Sequence, residues 1–241
     1  MEFTQETIDA LIVNEVEIMK KVAVVVPVHN AQAHLRECLD SIKNQTYPSE
    51  LIDVFVVADN CTDATASIAA ECGAQVLKRF DNVKVGKGYA LNALLRDIAN
   101  RYGIDHYDGY FVFDADNVLD PHYIEEMNKT FSSGYEILTS YRNSKNYGDS
   151  WISAGYALWF LRESKFLNYS RMLLNTSCAI SGTGFMFSKN IAKELNGWKY
   201  YLLTEDIEFT VDNIINNHKI GFCKNAVLYD EQPTEFGQSV R

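Results

Sequence analysis

The sequence predicts an α/β fold in which a mainly parallel sheet is flanked by helices. Three apolar runs have the composition of strands buried on both faces, and they cover residues 22–28, 51–58 and 109–113. Apolar residues at helical spacing lie between them, in the segments 35–42, 68–72 and 91–98. Because strand and helix patterns alternate, the strands are expected to run parallel and to be joined by right-handed crossovers.

Local signals mark where these elements begin and end. A turn at Pro48 ends the first helical segment, and Asp63 can cap the second, which ends at Gly73. Residues 75–79 predict a further short strand. Pro121 suits the first turn of a helix that begins after the third apolar run.

The second half of the chain is less regular. Residues 150–175 are aromatic-rich and predict helix, and residues 179–187 predict an extended segment. Thr204 can cap a helix that carries Ile207, Val211, Ile214 and Ile215. Residues 219–228 are expected to supply the last strands.

Charge and cysteine content limit the possible partners. The chain of 241 residues has a net charge of -10 and a pI of about 5.0, so it repels phosphate backbones and we expect no nucleic-acid partner. The five cysteines are odd in number and lack the spacing of metal or redox sites. We interpret them as reduced thiols in a cytosolic compartment.

The expected ligand site lies beyond the carboxyl ends of the strands, where strand order reverses in sheets of this kind. Polar residues follow the three apolar runs directly, and they are His29, Asn30, Asp59, Asp114 and Asp116. Asp114 and Asp116 are two residues apart at a strand end, so both carboxylates can reach one point. Two hard oxygen ligands suit Mg²⁺ or Mn²⁺ bridging a diphosphate, and the alternative is a loop with two solvated acids; the position after an apolar strand favours a site.

Three further positions have both a chemical and a structural interpretation. Asp59 can accept a hydrogen bond from uracil N3–H or guanine N1–H, or it can form an Asx-turn. Lys87, between glycines before a helix, suits a phosphate, or the segment is a surface turn. Glu205 and Asp206 begin a predicted helix, where they can serve as a general base or simply complement the helix dipole.

Taken together, these segments resemble the family 2 glycosyltransferases, in the branch of cellulose, hyaluronan and exopolysaccharide synthases. The resemblance extends from about Val22 to Arg241. It rests on five motifs in order, which are Val24–Asn30, Val57–Asn60, Gly86–Asn92, Asp114–Asp116 and Thr204–Asp206. One departure is Ala31, where the family usually has a glutamate.

The resemblance implies a GT-A, Rossmann-like fold and an inverting transfer of a sugar from a nucleoside diphosphate, UDP rather than GDP, to a glycan acceptor. It implies nucleotide contacts from Pro27, His29, Asn30, Asp59, Lys87 and Asp114. Asp116, with Asp114, would hold Mg²⁺ or Mn²⁺. Asp206, with Glu205, would activate the acceptor. Sugar or acceptor contacts are expected from Gly182, Thr183, Gly184, Gln238 and Arg241.

Aromatic residues of the second half allow two interpretations. They could stack on sugars, but aromatic residues at helical spacing more often pack in a core. We therefore predict core positions for Trp151, Tyr156, Trp159 and Trp198.

Two other functions are compatible with parts of this pattern. A sugar-nucleotide pyrophosphorylase would need a basic, glycine-rich loop near the first strand, and residues 29–36 offer only Arg36. An inactive nucleotide-sugar-binding scaffold is the other alternative. UDP release distinguishes it, because a scaffold binds the donor without turning it over.

The domain prediction is an amphipathic helix over residues 1–20 and one catalytic domain over 21–241, with a nucleotide-binding half (21–120) and an acceptor half (121–241). Gln238 to Arg241 resembles the start of the family's Gln-x-x-Arg-Trp motif. We therefore expect a parent protein that continues into membrane helices and places this domain at the cytosolic face of the plasma membrane. The fragment itself would be soluble, and loosely ordered from about Gln232.

Overall fold

The computed structural model describes residues 19–239, apart from the side chain of Ser239. The helix predicted over residues 1–20 therefore lies almost wholly outside the described residues, as does Arg241.

Within this range, one sheet of eight strands runs through the molecule in the order β3-β2-β1-β4-β7-β6-β8-β5. The strands are β1 (Val22–Val28), β2 (Ile52–Asp59), β3 (Gln75–Arg79), β4 (Gly109–Val112), β5 (Val118–Leu119), β6 (Ile137–Ser144), β7 (Phe185–Ser188) and β8 (Ile220–Asp230). Strands β1 to β4 are parallel, as the alternating pattern predicts. β7 runs antiparallel to both of its neighbours, so the sheet as a whole is mixed.

The helices pack on both faces of the sheet. They are α1 (Leu35–Lys43), α2 (Thr65–Glu71), α3 (Lys87–Tyr102), α4 (Tyr123–Ser132), α5 (Trp151–Leu161), α6 (Tyr169–Leu173), α7 (Lys189–Leu195), α8 (Glu205–Ile215) and α9 (Phe236–Ser239). A π-helical segment, Arg162–Asn168, joins α5 to α6. The predicted helical stretch 150–175 is thus confirmed in most of its length, with a change of helix type inside it.

The apolar runs form strands because both faces of the sheet are covered. In β1, Ala23 and Val25 point into the core below α3, and Val24 and Val26 point into the core below α1. All four are fully buried. Burying a valine stabilises a fold by about 1.5–3 kcal/mol, so a run without alternation is stable only between two layers of helices.

The expectation of core positions for the aromatic residues of the second half is correct for Trp198 and wrong for Trp151 and Trp159. Trp198 is buried and stacks on Phe209 at 5.1 Å, as a core residue should, but Trp151 and Trp159 are 79% and 59% exposed. On α8, Ile207 and Val211 also face outward, because Phe209 and not the isoleucines packs against the aromatic core. An aromatic ring buries more area than an isoleucine, and it fixes which face of the helix points inward.

All five cysteines are free thiols. Among residues 19–239, no helix combines the length and the hydrophobicity that a bilayer crossing requires.

Candidate functional site

The candidate site lies at the carboxyl ends of β1, β2 and β4, where strand order reverses between β1 and β4. A cavity of about 290 Å³ opens there, and it is lined by Pro27, Val28, His29, Asp59, Val85, Gly86, Lys87 and Ala90. Pro27, His29, Asp59 and Lys87, all predicted nucleotide contacts, are therefore brought together around one cavity.

Asp59 is buried at the end of β2 and paired with Arg79 of β3, whose Nη1 lies 2.5 Å from Asp59 Oδ1. Arg79 also donates to Asp81 Oδ2 at 3.1 Å and to the Lys84 carbonyl at 2.5 Å. The Asx-turn that was an alternative for Asp59 is instead formed by Asp63, whose Oδ1 accepts the N–H of Thr65. Asp59 is thus held by a neighbouring strand and not by its own loop.

Arg79 was missed from the sequence, although strand register contains the signal. The parallel pairing of β2 and β3 sets Asp59 directly opposite Arg79. Asp59 and Arg79 are twenty positions apart in sequence. Their contact could have been predicted only by assuming that β3 pairs with β2 in this register.

Two residues after β1 have different roles. Nδ1 of His29 lies 2.8 Å from the carbonyl of Asp59, so its ring spans the ends of β1 and β2. Asn30 has a positive φ of 48°, and its Oδ1 accepts the N–H of Thr62 at 2.9 Å. Asn30 does not line the cavity, and its side chain holds the loop after β2. The prediction that Asn30 contacts nucleotide stays a prediction, to which its hydrogen bond to the Thr62 loop adds a structural role.

Lys87 connects the two halves of the site. Its Nζ lies 2.6 Å from Asp114 Oδ1, 3.6 Å from Glu205 Oε1 and 2.7 Å from the carbonyl of Gly182. Burial alone would lower the pKa of Lys87, but the carboxylates of Asp114 and Glu205 outweigh burial, and the pKa is raised. The lysine is therefore a fixed cation between the strand ends and α8.

The first turn of α3 fits closely against the chain before α8. A Cβ atom on Gly88 would lie 2.0 Å from the carbonyl oxygen of Tyr200. Gly88 therefore permits the close approach that brings Lys87 to Glu205, whereas residues 82–86 before it form an exposed bend, as the surface-turn interpretation predicts.

The turn from Asp114 to Asn117 is held from beneath by buried polar groups. Asn117 Oδ1 accepts the N–H of Asp114 at 3.0 Å and the hydroxyl of Thr183 at 2.5 Å. Asn117 Nδ2 donates to Asp230 Oδ1 at 2.9 Å. Asn117 and Asp230, both missed from the sequence, therefore fix the turn that carries the two aspartates.

Asp116 has the chemistry of a cation ligand. Burial, together with the nearby carboxylates of Asp230 and Asp114, raises the pKa of Asp116 to about 7. Crowded carboxylates of this kind repel one another and favour a hard divalent cation. Within residues 19–239, no group of three or more His, Cys, Asp or Glu side chains is placed to hold a metal. Asp114 and Asp116 could therefore hold an ion only together with ligands from outside the chain, such as diphosphate oxygens.

The acids at the start of α8 occupy different environments. Glu205 is buried, and burial raises its pKa, although Lys87 opposes this effect. Asp206 is half-buried, and its Oδ1 accepts the N–H of Ile207 at 2.9 Å. Thr204 precedes the helix but makes no side-chain capping bond, so the predicted cap is wrong. Asp206 is the more accessible of the two acids.

The glycine-rich loop between the two halves serves mainly as packing. Gly182 faces the site, since a Cβ there would lie 3.9 Å from Arg142 Nη1 and 4.0 Å from Asp206 Oδ2. Thr183 is buried and bonds to Asn117, whereas a Cβ on Gly184 would lie 1.9 Å from Leu228. The side chain of Thr183 and the Cβ direction of Gly184 therefore face inward, and the sugar or acceptor contacts of these two residues stay a prediction that concerns their backbone atoms.

Arg142 of β6 and Glu163 of the π-helical segment complete the wall beside Asp206, and both were missed. Arg142 donates from Nε to Asp230 Oδ2 at 2.9 Å and from Nη1 to the Ser181 carbonyl at 3.0 Å. Glu163 accepts the Ser181 hydroxyl at 3.0 Å, and burial raises its pKa. The sequence signal for this network was Arg142 itself, because an arginine in a strand that begins with buried apolar residues needs polar partners.

The end of the described chain packs away from the cavity. Gln238 Oε1 accepts the N–H groups of Thr234 and Glu235 at 2.9 and 3.2 Å, so it stabilises the turn before α9. Gln232 is buried and donates to Asp230 Oδ2 at 3.0 Å. The expectation of a loose chain from Gln232 is therefore wrong at that residue, and the acceptor role of Gln238 stays a prediction.

Comparison with known proteins agrees with the fold and the motifs. Residues 20–241 match the family described as "Glycosyltransferase like family 2". The probable glycosyltransferase YdaM of Bacillus subtilis is 26% identical over 238 residues, which cover 89% of this chain and 51% of YdaM. The chain thus spans about half the length of this curated relative.

Two solved structures share the fold. The mannosyltransferase PcManGT of Pyrobaculum calidifontis, in complex with GDP-Man and Mn²⁺, superposes with a TM-score of 0.67 at 19% identity, over 92% of this chain and 59% of that one. TarS 1–349 of S. aureus, in complex with UDP-GlcNAc, also gives 0.67, at 18% identity over 92% and 61%. With the family match over nearly its whole length, the chain belongs to glycosyltransferase family 2 and has the GT-A fold.

Proposed function

We propose that this chain transfers a sugar from a nucleoside diphosphate donor to an acceptor hydroxyl, with inversion at the anomeric carbon. The observation that carries the proposal is the position of Lys87, which contacts both Asp114 and Glu205. Through this lysine, the cavity at the strand ends, the Asp114–Asp116 turn and the acids of α8 form one site. A donor in the cavity would therefore have its diphosphate near the aspartates and its sugar near Asp206.

The donor nucleoside is proposed to be uridine, with guanosine as the alternative. Asp59 Oδ1 is taken by Arg79, so Oδ2 is the oxygen that can accept uracil N3–H or guanine N1–H. The related structures hold UDP-GlcNAc and GDP-Man, which supports both nucleosides on this fold.

Asp114 and Asp116 are proposed to hold Mg²⁺ or Mn²⁺ together with the donor. When bound, the ion would stabilise the negative charge that develops on the leaving diphosphate. The Mn²⁺ in the PcManGT complex supports this assignment. Lys87, already beside Asp114, supplies a second positive charge at the same place.

Asp206 is proposed as the base that accepts the proton of the acceptor hydroxyl. It is more exposed than Glu205, it lies in the first turn of α8, and it faces the loop at Gly182. Glu205 would not act on substrate but would hold Lys87 in position. The proposed acceptor is a glycan of the cell envelope or an exopolysaccharide, and membrane attachment through segments beyond this sequence remains part of the proposal.

Titration with UDP-GlcNAc and GDP-mannose, with and without Mn²⁺, tests the proposal when calorimetry is combined with an assay for released nucleotide. Metal-dependent binding and slow release of UDP or GDP are expected. Binding without any release would favour the scaffold, and pyrophosphate-dependent formation of a nucleoside triphosphate would favour the pyrophosphorylase.

A further inference from the structure

The helical stretch that begins at Trp151 continues without a break to Leu173, although its hydrogen-bonding type changes on the way. The backbone stays helical at both junctions of the π-helical segment, with φ of -60° at Arg162 and -62° at Tyr169. At about 1.5 Å per residue, the stretch is roughly 30 Å long. With the residue that follows it, this stretch (151–174) is called the outer helix below, because one of its faces points away from the molecule.

The outer helix has polar residues on its buried face and apolar residues on its exposed face. Its buried residues are Ser153, Ser164 and Asn168, and Asn168 makes two hydrogen bonds with the backbone of Ala179, at 3.0 and 3.1 Å. The exposed apolar side chains are 59–79% exposed, and they are Trp151, Leu158, Trp159, Phe166, Leu173 and Leu174. A helix that faces water normally has the opposite arrangement. The exposed face therefore suits a surrounding that is less polar than water.

The charges on the exposed face of the outer helix are positive. Arg162 and Lys165 are exposed, whereas Glu163, the one acid of this helix, turns inward and accepts the Ser181 hydroxyl at 3.0 Å. Within residues 19–239, neither Arg162 nor Lys165 has an ion-pair partner, and the Arg162 guanidinium lies 5.4 Å from the centre of the Trp159 ring. Two unpaired cations thus lie among exposed apolar side chains, on a protein whose net charge is -10.

Neighbouring residues extend this pattern. Lys224 of β8 is exposed, and its Nζ lies 5.5 Å from the centre of the Tyr169 ring. The exposed acids Asp149 and Glu235 lie near the other end, since Asp149 precedes the helix and Glu235 adjoins Phe236, which packs beside the first turns of the helix. The positive charge is therefore concentrated on the middle and the carboxyl-terminal half of the outer helix.

We infer that the outer helix lies along the surface of an anionic phospholipid bilayer, with its apolar side chains below the head groups and its cations among the phosphates. Tryptophan, phenylalanine and leucine on one face, together with arginine and lysine, are typical of helices that lie in a bilayer interface. The helix lies on the bilayer and does not cross it, because Arg162, Glu163 and Lys165 interrupt its apolar sequence near the middle. The net charge of -10 opposes this contact only weakly, because charges more than about 8 Å away are screened at physiological ionic strength.

A second copy of the chain suits the same face less well. Arg162 lies near the midpoint of the outer helix, so a two-fold pairing of these helices would place Arg162 and Lys165 close to the same residues of the other copy. Like charges without partners would then be buried, which is costly. A bilayer supplies phosphate and hydrocarbon along the whole helix and needs no matching surface. The inference is independent of the proposed donor and acceptor, because no residue of the outer helix lines the nucleotide cavity.

Vesicle sedimentation with the full chain tests the inference. Vesicles of phosphatidylcholine and phosphatidylglycerol in equal amounts should bind the protein at least about tenfold more tightly than vesicles of phosphatidylcholine alone, because each basic residue at an anionic surface adds about fivefold. Binding should also move the tryptophan fluorescence to shorter wavelength. Trp151 and Trp159 are the exposed indoles that would enter the interface, whereas Trp198 is already buried.

Two variants separate the apolar part of the contact from the charged part. Leu158→Ala should weaken binding to the anionic vesicles about tenfold through lost burial of hydrocarbon. Lys165→Gln should weaken it about fivefold at low salt and have little effect at high salt. Val83→Ala and Lys78→Gln are the matched controls and should leave the affinity unchanged. Both control residues are exposed, and they lie on or after β3, at the opposite edge of the sheet from β6 and β8, on which the outer helix packs.

Several results would overturn the inference. They are failure to sediment with either kind of vesicle, equal affinity for both kinds, or equal losses in the outer-helix variants and their controls. If vesicles do not bind and a dimer dissociates in Leu158→Ala, the face belongs to a second copy of the chain. If vesicles do not bind and calorimetry detects binding of poly-L-glutamate that Lys165→Gln weakens, the face belongs to an acidic protein. Thermal unfolding of each variant checks that the fold is retained, as expected for substitutions of exposed side chains.

Discussion

The two sides of the candidate site are built in different ways. On the donor side, the side chains stand on strand ends and are fixed across the sheet, as when Arg79 holds Asp59. On the acceptor side, Asp206 stands on a helix end, beside a loop with glycines at positive φ. The donor side therefore depends on strand register, and the acceptor side depends on packing between a helix, a loop and β6.

This difference has a functional consequence. A nucleotide is a constant ligand, and a site on parallel strands holds its contacts rigidly. Acceptors vary within one fold, and helices and loops can change without disturbing the sheet. Lys87 is the link between the two sides, so changes on one side are expected to leave binding on the other largely intact unless they remove this lysine.

The largest expected effect separates the two sides directly. Asp206→Asn retains the shape of the side chain but cannot accept a proton, so turnover should fall by about 10² to 10⁴-fold. Donor affinity with Mn²⁺ should remain within about twofold, because Asp206 is not part of the nucleotide cavity. Calorimetry and nucleotide release on one preparation measure both quantities. A parallel loss of affinity and turnover would contradict the assignment of Asp206 as the base.

The next effect concerns the packing of the loop that joins the sides. Gly184→Ala places a Cβ 1.9 Å from Leu228 at a φ of 65°, so we expect the free energy of unfolding to fall by about 2 to 5 kcal/mol. Gly148→Ala is the control, because a Cβ there meets nothing within 4 Å, and its change should stay within about 0.5 kcal/mol. Denaturant unfolding measures both. Similar stabilities for the two variants would show that the loop or the Leu228 side chain can move to accommodate the added methyl group.

A third prediction tests the donor side through its cation site. Asp116→Ala should weaken Mn²⁺-dependent donor binding at least about 100-fold. Loss of a side chain that coordinates the metal should reduce affinity more than loss of a residue that only orients such a side chain. Asp149→Ala removes an exposed carboxylate elsewhere and should leave affinity unchanged. Calorimetry with and without Mn²⁺ separates the loss of the ion from the loss of the fold. Unaltered metal dependence in Asp116→Ala would exclude this carboxylate as a ligand.

The donor side was also the more predictable side. The run 22–28 became β1 with the same bounds, Asp59 is the last residue of β2, and Asp114 and Asp116 follow β4 as expected. The local sequence pattern was enough to locate these strands, because a parallel strand that is buried on both faces has a continuous apolar run. The functional roles of these residues were not tested by the fold and remain predictions.

The acceptor side was less predictable, because its arrangement depends on contacts far apart in sequence. Thr183 and Gly184 lie in a segment that resembles a binding loop, yet they pack against Asn117 and Leu228. The exposed face of α8 carries Ile207 and Val211, and from sequence it could equally be the buried face. The contact between Phe209 and Trp198 decides which face is buried. Whether these residues are buried or exposed depends on contacts between segments that are distant in sequence. The spacing of residues along the chain does not predict those contacts.

The smallest expected effect sharpens the comparison at Arg79. Arg79→Lys keeps the charge, but a single ammonium cannot reach Asp59, Asp81 and the Lys84 carbonyl together as the guanidinium does. Asp59 would lose part of its orientation, so donor affinity should fall about tenfold, roughly the value of one or two net hydrogen bonds. Arg101→Lys is the control, because Arg101 also pairs with an aspartate, Asp97 at 2.5 Å, but at the far end of α3.

A purely structural role for Arg79 would lower stability without changing the ratio of UDP to GDP affinities. A positioning role should change that ratio, because the base is then recognised by a displaced carboxylate. Calorimetry with both nucleotides, alongside denaturant unfolding, distinguishes the two roles, and an unchanged ratio would leave the fixed geometry of the donor side without a part in choosing the nucleotide.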